Sequence, residues 1–134
     1  MAEVTDENQL IEISKYIQSG ELIIDGFGSE DIITSINNES PGLSYADASV
    51  LELALRIKAV ILSADKSLRN ESQRRGLTVR GVLWIIDELY NKNILTKEKA
   101  LDKLITYPKV NSRAPINEIE KMVSKFTDNK TINF

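Results

Sequence analysis

Two aspartates, Asp47 and Asp65, are the side chains of this sequence best suited to chemistry. The 134-residue chain has neither His nor Cys, which excludes imidazole bases, thiol nucleophiles, disulfides and thiolate zinc sites. Catalysis would therefore rest on carboxylates, Lys, Tyr or Ser. Carboxylate oxygens suit Mg²⁺ or Mn²⁺, which activate water and stabilise phosphoryl transition states. The composition thus favours hard-cation chemistry over the other enzyme classes.

The elements around the two aspartates predict that both lie at one end of an α/β fold. Asp47 falls in the first turn of a helix predicted at 44–58, which opens with the S-x-x-D form of a capping box. Asp65 follows an apolar strand predicted at 59–63. A helix that leads into a strand of a parallel sheet packs antiparallel to it, so the helix N-terminus lies near the strand's carboxyl end. Open α/β sheets bind ligands at that end.

Both aspartates also have a purely structural interpretation. An acid in the first turn of a helix complements the exposed N–H groups and the helix dipole. An Asp after a strand forms turns readily and can cap a helix that begins near Lys66. Spacing alone leaves the metal and the capping interpretations open for Asp47 and Asp65.

The rest of the pattern predicts a single domain in which an α/β part, residues 1–81, precedes a helical extension, residues 82–126. Residues 127–134 are predicted to be a polar tail. The further predicted helices lie at 6–18, 29–36, 66–75, 82–92, 96–105 and 115–126, and the further predicted strands at 21–25 and 77–80.

Residues 43–81 resemble the C-terminal half of a PIN domain. The resemblance rests on LSYADA at 43–48, ILSADKSL at 61–68 and RGLTVRG at 75–81, and it extends back to residue 3. It implies a three-layer sandwich in which helices flank a central, mostly parallel sheet. It also implies metal-dependent hydrolysis of RNA phosphodiesters.

The resemblance also assigns the site residues. It matches Asp47, Asp65 and Glu3 to metal-binding catalytic acids, matches Ser63 to a supporting hydroxyl residue, and implies Mg²⁺ or Mn²⁺ as the cofactor. The alternative for Glu3 is a solvated acid near the terminus. No counterpart of the family's opening strand and helix precedes Glu3, so the resemblance implies either an N-terminally incomplete domain or a degenerate member.

A group of cations follows Asp65 in the sequence. Lys66, Arg69 and Arg75 are expected to bind RNA phosphates, since phosphate contacts dominate nucleic-acid affinity. The alternative is a solvated helix face, with Arg75 placed favourably near a helix C-terminus. Trp84 is interpreted as a core or interface residue, and Arg113 as part of a turn that leads into a helix.

Three functions remain open at this point. The first is a PIN-type endoribonuclease, either of a toxin–antitoxin pair with an antitoxin-like partner or in RNA processing. The second is a non-catalytic PIN-like module that forms a homodimer or pairs with another protein, because a missing strand leaves sheet edges open. The third, a receiver-like phosphoacceptor, is disfavoured because no adjacent acidic pair follows a first strand.

The bulk properties indicate a cytoplasmic protein. No apolar run approaches the ~20 residues that span a bilayer, and the first residues carry acid where a secretory signal would carry base. The net charge of −3 argues weakly against broad electrostatic binding of nucleic acid, although a local basic patch can outweigh it.

Overall fold

The structure is a computed structural model that describes the backbone of residues 5–131 and the side chains of residues 5–127. The chain divides after Ile57 into two compact units. The elements of the described part are α1 (Glu7–Ser19), α2 (Glu30–Glu39), α3 (Tyr45–Ile57), β1 (Ile61–Leu62), α4 (Lys66–Arg74), β2 (Val79–Arg80), α5 (Val82–Asn91), α6 (Lys97–Val110) and α7 (Ile116–Thr131).

The first unit is helical throughout its described elements. Helix α1 begins at its N-cap Asp6 and ends at Gly20. The φ of this glycine is 78°, the left-handed conformation in which glycine commonly ends a helix. Helix α2 packs against α3 and buries Ile33 and Ile36, while α3 buries Leu51. The three helices predicted for this part of the chain are confirmed, because their caps and apolar spacing are local signals.

The strand predicted at residues 21–25 is wrong, because this segment is an irregular loop. A β-branched run forms a strand only when a neighbouring strand satisfies its backbone groups, and residues 5–57 contain no strand. Ile23 is consequently 81% exposed. The Asp25 carboxylate anchors the loop instead, by accepting hydrogen bonds from the Phe27 N–H and the Arg56 guanidinium.

The second unit begins with the strand–helix–strand segment that the sequence predicts. Strands β1 and β2 pair in parallel, with Ile61 beside Val79 and Leu62 beside Arg80. Ile61 and Val79 are buried, whereas Leu62 and Arg80, the second residue of each strand, are exposed. Helix α4 connects the strands and is followed by Gly76 at a φ of 80°. The parallel pairing is confirmed, although both strands are shorter than predicted.

The C-terminal helices α5, α6 and α7 pack around an apolar core of their own. The Tyr90 and Phe126 rings meet edge to face, with their centroids 4.8 Å apart, a geometry that aromatic pairs favour. The buried core residues are Ile86, Ala100, Leu104, Ala114, Ile119 and Phe126. The helices predicted between residues 82 and 126 are therefore present.

Three helices extend clearly beyond their predicted ends, the first being α2, which continues past residue 36 to Glu39. Helix α6 continues past residue 105 to Val110 and includes Pro108, which is tolerated because a proline in the last turn removes a single helical hydrogen bond. Helix α7 continues to Thr131, so residues 127–131 of the predicted polar tail are helical. The remaining predicted tail, residues 132–134, lies outside the described residues.

The described chain is mostly helical, with seven helices and one parallel two-stranded sheet. This architecture is compatible with the predicted α/β class, whereas the three-layer arrangement stays a prediction. No helix within residues 5–131 combines the length and the apolar character needed to cross a membrane.

Candidate functional site

Asp65 lies just beyond the carboxyl end of β1 and begins α4. Its Oδ2 accepts a hydrogen bond from the Leu68 N–H at 2.9 Å, so the predicted cap is formed. Its own N–H donates to Ser63 Oγ at 3.1 Å. The side chain is exposed. The cap uses one carboxylate oxygen and fixes the direction of the group, which leaves the predicted metal role compatible with this position.

Asp47 occupies the first turn of α3 and is half-buried. Its N–H donates to Ser44 Oγ at 3.0 Å, so Ser44 caps the helix as predicted. The reciprocal half of the capping box is not formed: the Asp47 carboxylate has no hydrogen-bond or ion-pair partner among residues 5–127. The capping hydrogen bond therefore explains the serine, and the only structural function left to the Asp47 carboxylate is its favourable interaction with the dipole of α3.

Glu3, the third predicted acid, lies outside the described residues. Within the part of the chain that the structure describes, no group of three or more acidic side chains comes together as a metal site. The assignment of Asp47, Asp65 and Glu3 to one metal centre stays a prediction.

The predicted RNA-binding cations differ in how far they are already engaged. Arg75 is paired with Glu71 at 2.8 Å, and both side chains are half-buried. Arg69 Nη1 donates to the Ser63 carbonyl at 2.8 Å. Lys66 is exposed and has no ion-pair partner in residues 5–127. Of the three, Lys66 is the best placed to meet a phosphate.

Gly81 explains how Arg69 reaches the end of β1. A Cβ at this glycine would lie 3.0 Å from Arg69 Nη1 and 3.7 Å from the Ser63 carbonyl oxygen. The missing side chain therefore makes room for the guanidinium. Arg69 connects α4 to the chain segment that carries Ser63 and Asp65, and so helps to hold the Asp65 carboxylate in position.

A cleft of about 770 Å³ opens beside Asp65 and is lined entirely by residues of the second unit. Ala64 and Lys66, the neighbours of Asp65 in the sequence, form part of its wall. The volume lies in the ~300–1,000 Å³ range typical of ligand sites. Its charged lining residues are Lys66, Arg69, Arg80, Arg113 and Glu118. The lining is thus basic, although the whole chain carries a net charge of −3.

Trp84 forms another part of this wall and is 40% exposed. It is therefore not a residue of the buried core. The Arg80 guanidinium lies over its ring, 5.8 Å from the centroid, within the range of a cation–π contact. Tyr107 contributes a second aromatic side chain to the cleft.

The contribution of Trp84 and Arg113 to this cleft is not evident from the sequence. Arg113 lies in the turn before α7, and only the packing of the C-terminal helices brings it beside α4 and β2. A tryptophan that closely follows Arg80 was the one local signal available. The apolar residues around Trp84 masked that signal, because they are typical of a core helix.

The first unit contains a different charged cluster, formed by Asp25, Glu52 and Arg56. Arg56 Nε donates to Glu52 Oε1 at 2.8 Å, and Arg56 Nη2 donates to Asp25 Oδ1 at 2.9 Å. Glu52 is 3% exposed. The hydrogen bond from Arg56 is the main reason that the pKa of the Glu52 carboxyl lies below its ordinary value, and the same holds for the pKa of Asp25. Every charge in this cluster is paired.

Comparison with known proteins identifies a family relationship. The DUF3368 family model, described as a PIN domain, matches residues 1–127 and so covers nearly the whole chain. No curated protein and no solved structure shows significant similarity to the chain.

Proposed function

The chain belongs to the PIN-domain family, and we propose that it is a metal-dependent endoribonuclease. PIN domains are generally nucleases that depend on metal ions. The observation that carries the proposal for this chain is the position of Asp65. This carboxylate lies at the carboxyl end of a parallel strand, where α/β folds place ligands, and its sequence neighbours Ala64 and Lys66 line a basic cleft.

The donor atoms suit a hard divalent cation. Asp47 offers a carboxylate without a partner among the described residues, and Asp65 uses only one oxygen for its helix cap. We propose that these two residues, with Glu3, hold Mg²⁺ or Mn²⁺. When bound, such an ion lowers the pKa of water and stabilises charge on a phosphoryl group. The reaction is hydrolysis, in which water adds to phosphorus and one P–O ester bond breaks.

The protein's own residues position the substrate and the carboxylate. The exposed Lys66 ammonium lies next to Asp65 in the sequence and provides a charge for a substrate phosphate. Ser63 and Arg69 orient the loop that carries Asp65, through the Oγ and carbonyl contacts of Ser63. Arg75 stabilises α4 through Glu71, so its contribution to RNA binding is indirect.

The wider setting is also part of the proposal. The protein acts in the cytoplasm on RNA, either as the toxin of a toxin–antitoxin pair or in RNA processing. It forms a homodimer or binds an antitoxin-like partner. Its helices and parallel sheet belong to a three-layer arrangement of the PIN type.

One observation favours a non-catalytic alternative. The sheet of the described chain has two strands, so β1 and β2 each have an unpaired edge. Val60 and Leu62, at β1, are more than half exposed. Strand edges of this kind pair with a strand from another chain. The alternative is therefore an interaction module that associates with itself or with a partner, and a strictly monomeric protein at high concentration in sedimentation experiments would rule out its self-associating form.

The direct test is cleavage of a labelled single-stranded RNA in Mn²⁺ or Mg²⁺, with and without EDTA. The proposal predicts metal-dependent cleavage that Asp47→Asn abolishes while the far-UV circular dichroism and the unfolding midpoint are retained. Asp31→Asn is the matched control, because Asp31 is also an acid in the first turn of a helix in the same unit. Full activity of Asp47→Asn would refute the assignment of Asp47.

A further inference from the structure

The cleft beside Asp65 has properties that the cleavage chemistry alone does not require. Hydrolysis needs the carboxylates and a phosphate anchor, yet the lining of the cleft also includes Trp84, Tyr107 and Arg113. All of its lining residues belong to the second unit. A cleft of this extent accommodates more of a ligand than a single phosphate group.

The charges in the cleft are available to an anionic ligand. Lys66, Arg80 and Arg113 form no ion pair with any residue between 5 and 127. Arg113 is exposed, and its backbone N–H is fixed by Asn111 Oδ1 at 3.0 Å. Grouped cations without carboxylate partners repel one another, so a ligand that carries several negative charges relieves this repulsion. A nucleic-acid backbone is such a ligand.

The aromatic component distinguishes a nucleic acid from a simple polyanion. Trp84 exposes 40% of its surface and lies against the Arg80 guanidinium, 5.8 Å from the ring centroid. Indole rings and guanidinium planes are the side chains on which unpaired bases stack. In a duplex the base faces are already stacked inside the helix, so stacking on Trp84 requires a single strand.

We propose that this cleft binds a single-stranded stretch of RNA next to the scissile phosphate, with a base stacked on Trp84 and neighbouring phosphates paired with Arg80 and Arg113. The RNA class rests on the proposed function, whereas the preference for a single strand rests on the cleft itself. Trp84 and Arg113 are thus residues that determine which RNA segments reach Asp65.

Trp84 is the only tryptophan of the chain, so intrinsic fluorescence reports on this cleft directly. A single-stranded RNA of about twelve nucleotides is titrated into the protein in EDTA, which prevents metal-dependent cleavage. We expect saturable quenching of the Trp84 fluorescence, and much weaker quenching by a blunt duplex of the same sequence. Binding without quenching, or equal affinity for the duplex, would overturn the proposal.

Variants make the test independent of the fluorophore. Anisotropy of labelled RNA should show that Trp84→Leu weakens binding by about 5- to 150-fold, the range expected for one stacked base. Trp84→Phe should restore part of the affinity, since it keeps an aromatic face. Lys103→Gln, an exposed site on α6 outside the cleft, is the control and should leave affinity unchanged. Circular dichroism checks that each variant is folded.

The outcomes separate this inference from the proposed function. RNA binding that depends on Trp84, without cleavage in Mn²⁺, supports the cleft and refutes the ribonuclease. Cleavage of single-stranded RNA that Trp84→Leu leaves unchanged in KM and kcat supports the ribonuclease and refutes the cleft. If Trp84→Leu instead disrupts a dimer in sedimentation experiments while RNA affinity stays constant, the cleft is a protein interface and the inference is wrong.

Discussion

Charged side chains are paired with one another in a cluster of one unit of the chain and lack such partners around the cleft of the other. In residues 5–57, Arg56 donates to both Asp25 and Glu52. These three side chains line a cavity of about 300 Å³, but their charges are engaged with one another. This cluster ties the 21–28 loop to α3. Its charges satisfy one another, so its function is to hold the fold together.

In residues 58–127 the charged side chains around the 770 Å³ cleft are arranged differently. Lys66, Arg80 and Arg113 line it without ion-pair partners in the described chain, and Asp65 stands in the sequence between two of its lining residues, Ala64 and Lys66. Removing one partner of a charge pair leaves the other charge uncompensated, whereas grouped and unpaired charges around a concave surface favour a ligand. The contrast therefore separates a structural cluster from a binding site within one small protein.

The largest effect is expected at Asp65. Asp65→Ser keeps a side chain that caps α4 but removes the carboxylate. Mutation of a residue that only hydrogen-bonds to a metal ligand lowers metal affinity or activity by ~10–100-fold. Loss of a ligand itself should therefore lower kcat/KM for RNA cleavage by at least about a hundredfold. The unfolding midpoint should change little. Steady-state cleavage and thermal unfolding measure the two quantities.

Asp65→Ala is the matched comparison for that variant. It removes the cap as well as the carboxylate, so it should be equally inactive and also lose about 1 kcal/mol of unfolding free energy. If Asp65→Ser retained wild-type activity, the carboxylate would serve only as a cap, and the contrast between the two units would lose its main support.

A smaller effect is expected for the cleft cations. Arg80→Gln and Arg113→Gln should each weaken binding of single-stranded RNA and reduce the slope of log K against log salt by about 0.7. Both residues lack ion-pair partners in residues 5–127, so the free energy of unfolding should change by no more than about 1 kcal/mol, the upper range for loss of an exposed contact such as that of Arg80 with Trp84. Anisotropy titrations at several salt concentrations measure the slope. An unchanged slope would show that these cations do not meet phosphates.

Glu52→Gln should lower stability without changing RNA affinity, which is the reverse of the effect expected for the cleft cations. The variant weakens the contact that Arg56 makes with a carboxylate that is 3% exposed, so the unfolding midpoint should fall while RNA affinity stays constant. Glu12→Gln is the control, because it breaks an exposed pair with Lys15 in the same unit, and such pairs contribute little. An equal change in both variants would contradict the structural role of the Asp25–Glu52–Arg56 cluster.

The smallest effect concerns pH. Hydrogen bonds from Arg56 lower the pKa of Glu52 and of Asp25 below their ordinary values of 4.5 and 3.8 in the folded protein. The unfolded chain therefore takes up protons first as the pH falls. The stabilisation is present above these ordinary values and is lost as the pH falls through the lowered ones. The unfolding midpoint of wild type should thus drop more steeply in acid than that of Glu52→Gln, and parallel curves would exclude this coupling.

The sequence predicts well the structure that local signals determine. Ser44 and Asp65 cap their helices as expected, and the apolar run before Ser63 forms a parallel strand. The predicted strand at residues 21–25 failed because strand formation depends on a partner distant in sequence. Its composition is that of a strand, but the Asp25–Arg56 contact holds it as a loop.

The candidate site is predictable only in part for the same reason. Asp65 can be found from its position after an apolar run, and its cap from the helix that follows. The cleft requires Arg80, Trp84 and Arg113 to converge, and this depends on how α5 to α7 pack. No periodic pattern encodes that convergence, because each of these residues looks ordinary within its own segment.

The most direct test of the central claim is a calorimetric titration of Mn²⁺ into the wild-type chain and into its Asp47→Asn and Asp65→Asn variants, without RNA. Asn retains helix-capping ability at position 65, so the variants should remain folded. Saturable Mn²⁺ binding by the wild type that is lost in both variants is the predicted result. Absence of binding by the wild type, or equal binding by all three proteins, would contradict the assignment of a carboxylate metal site to Asp47 and Asp65.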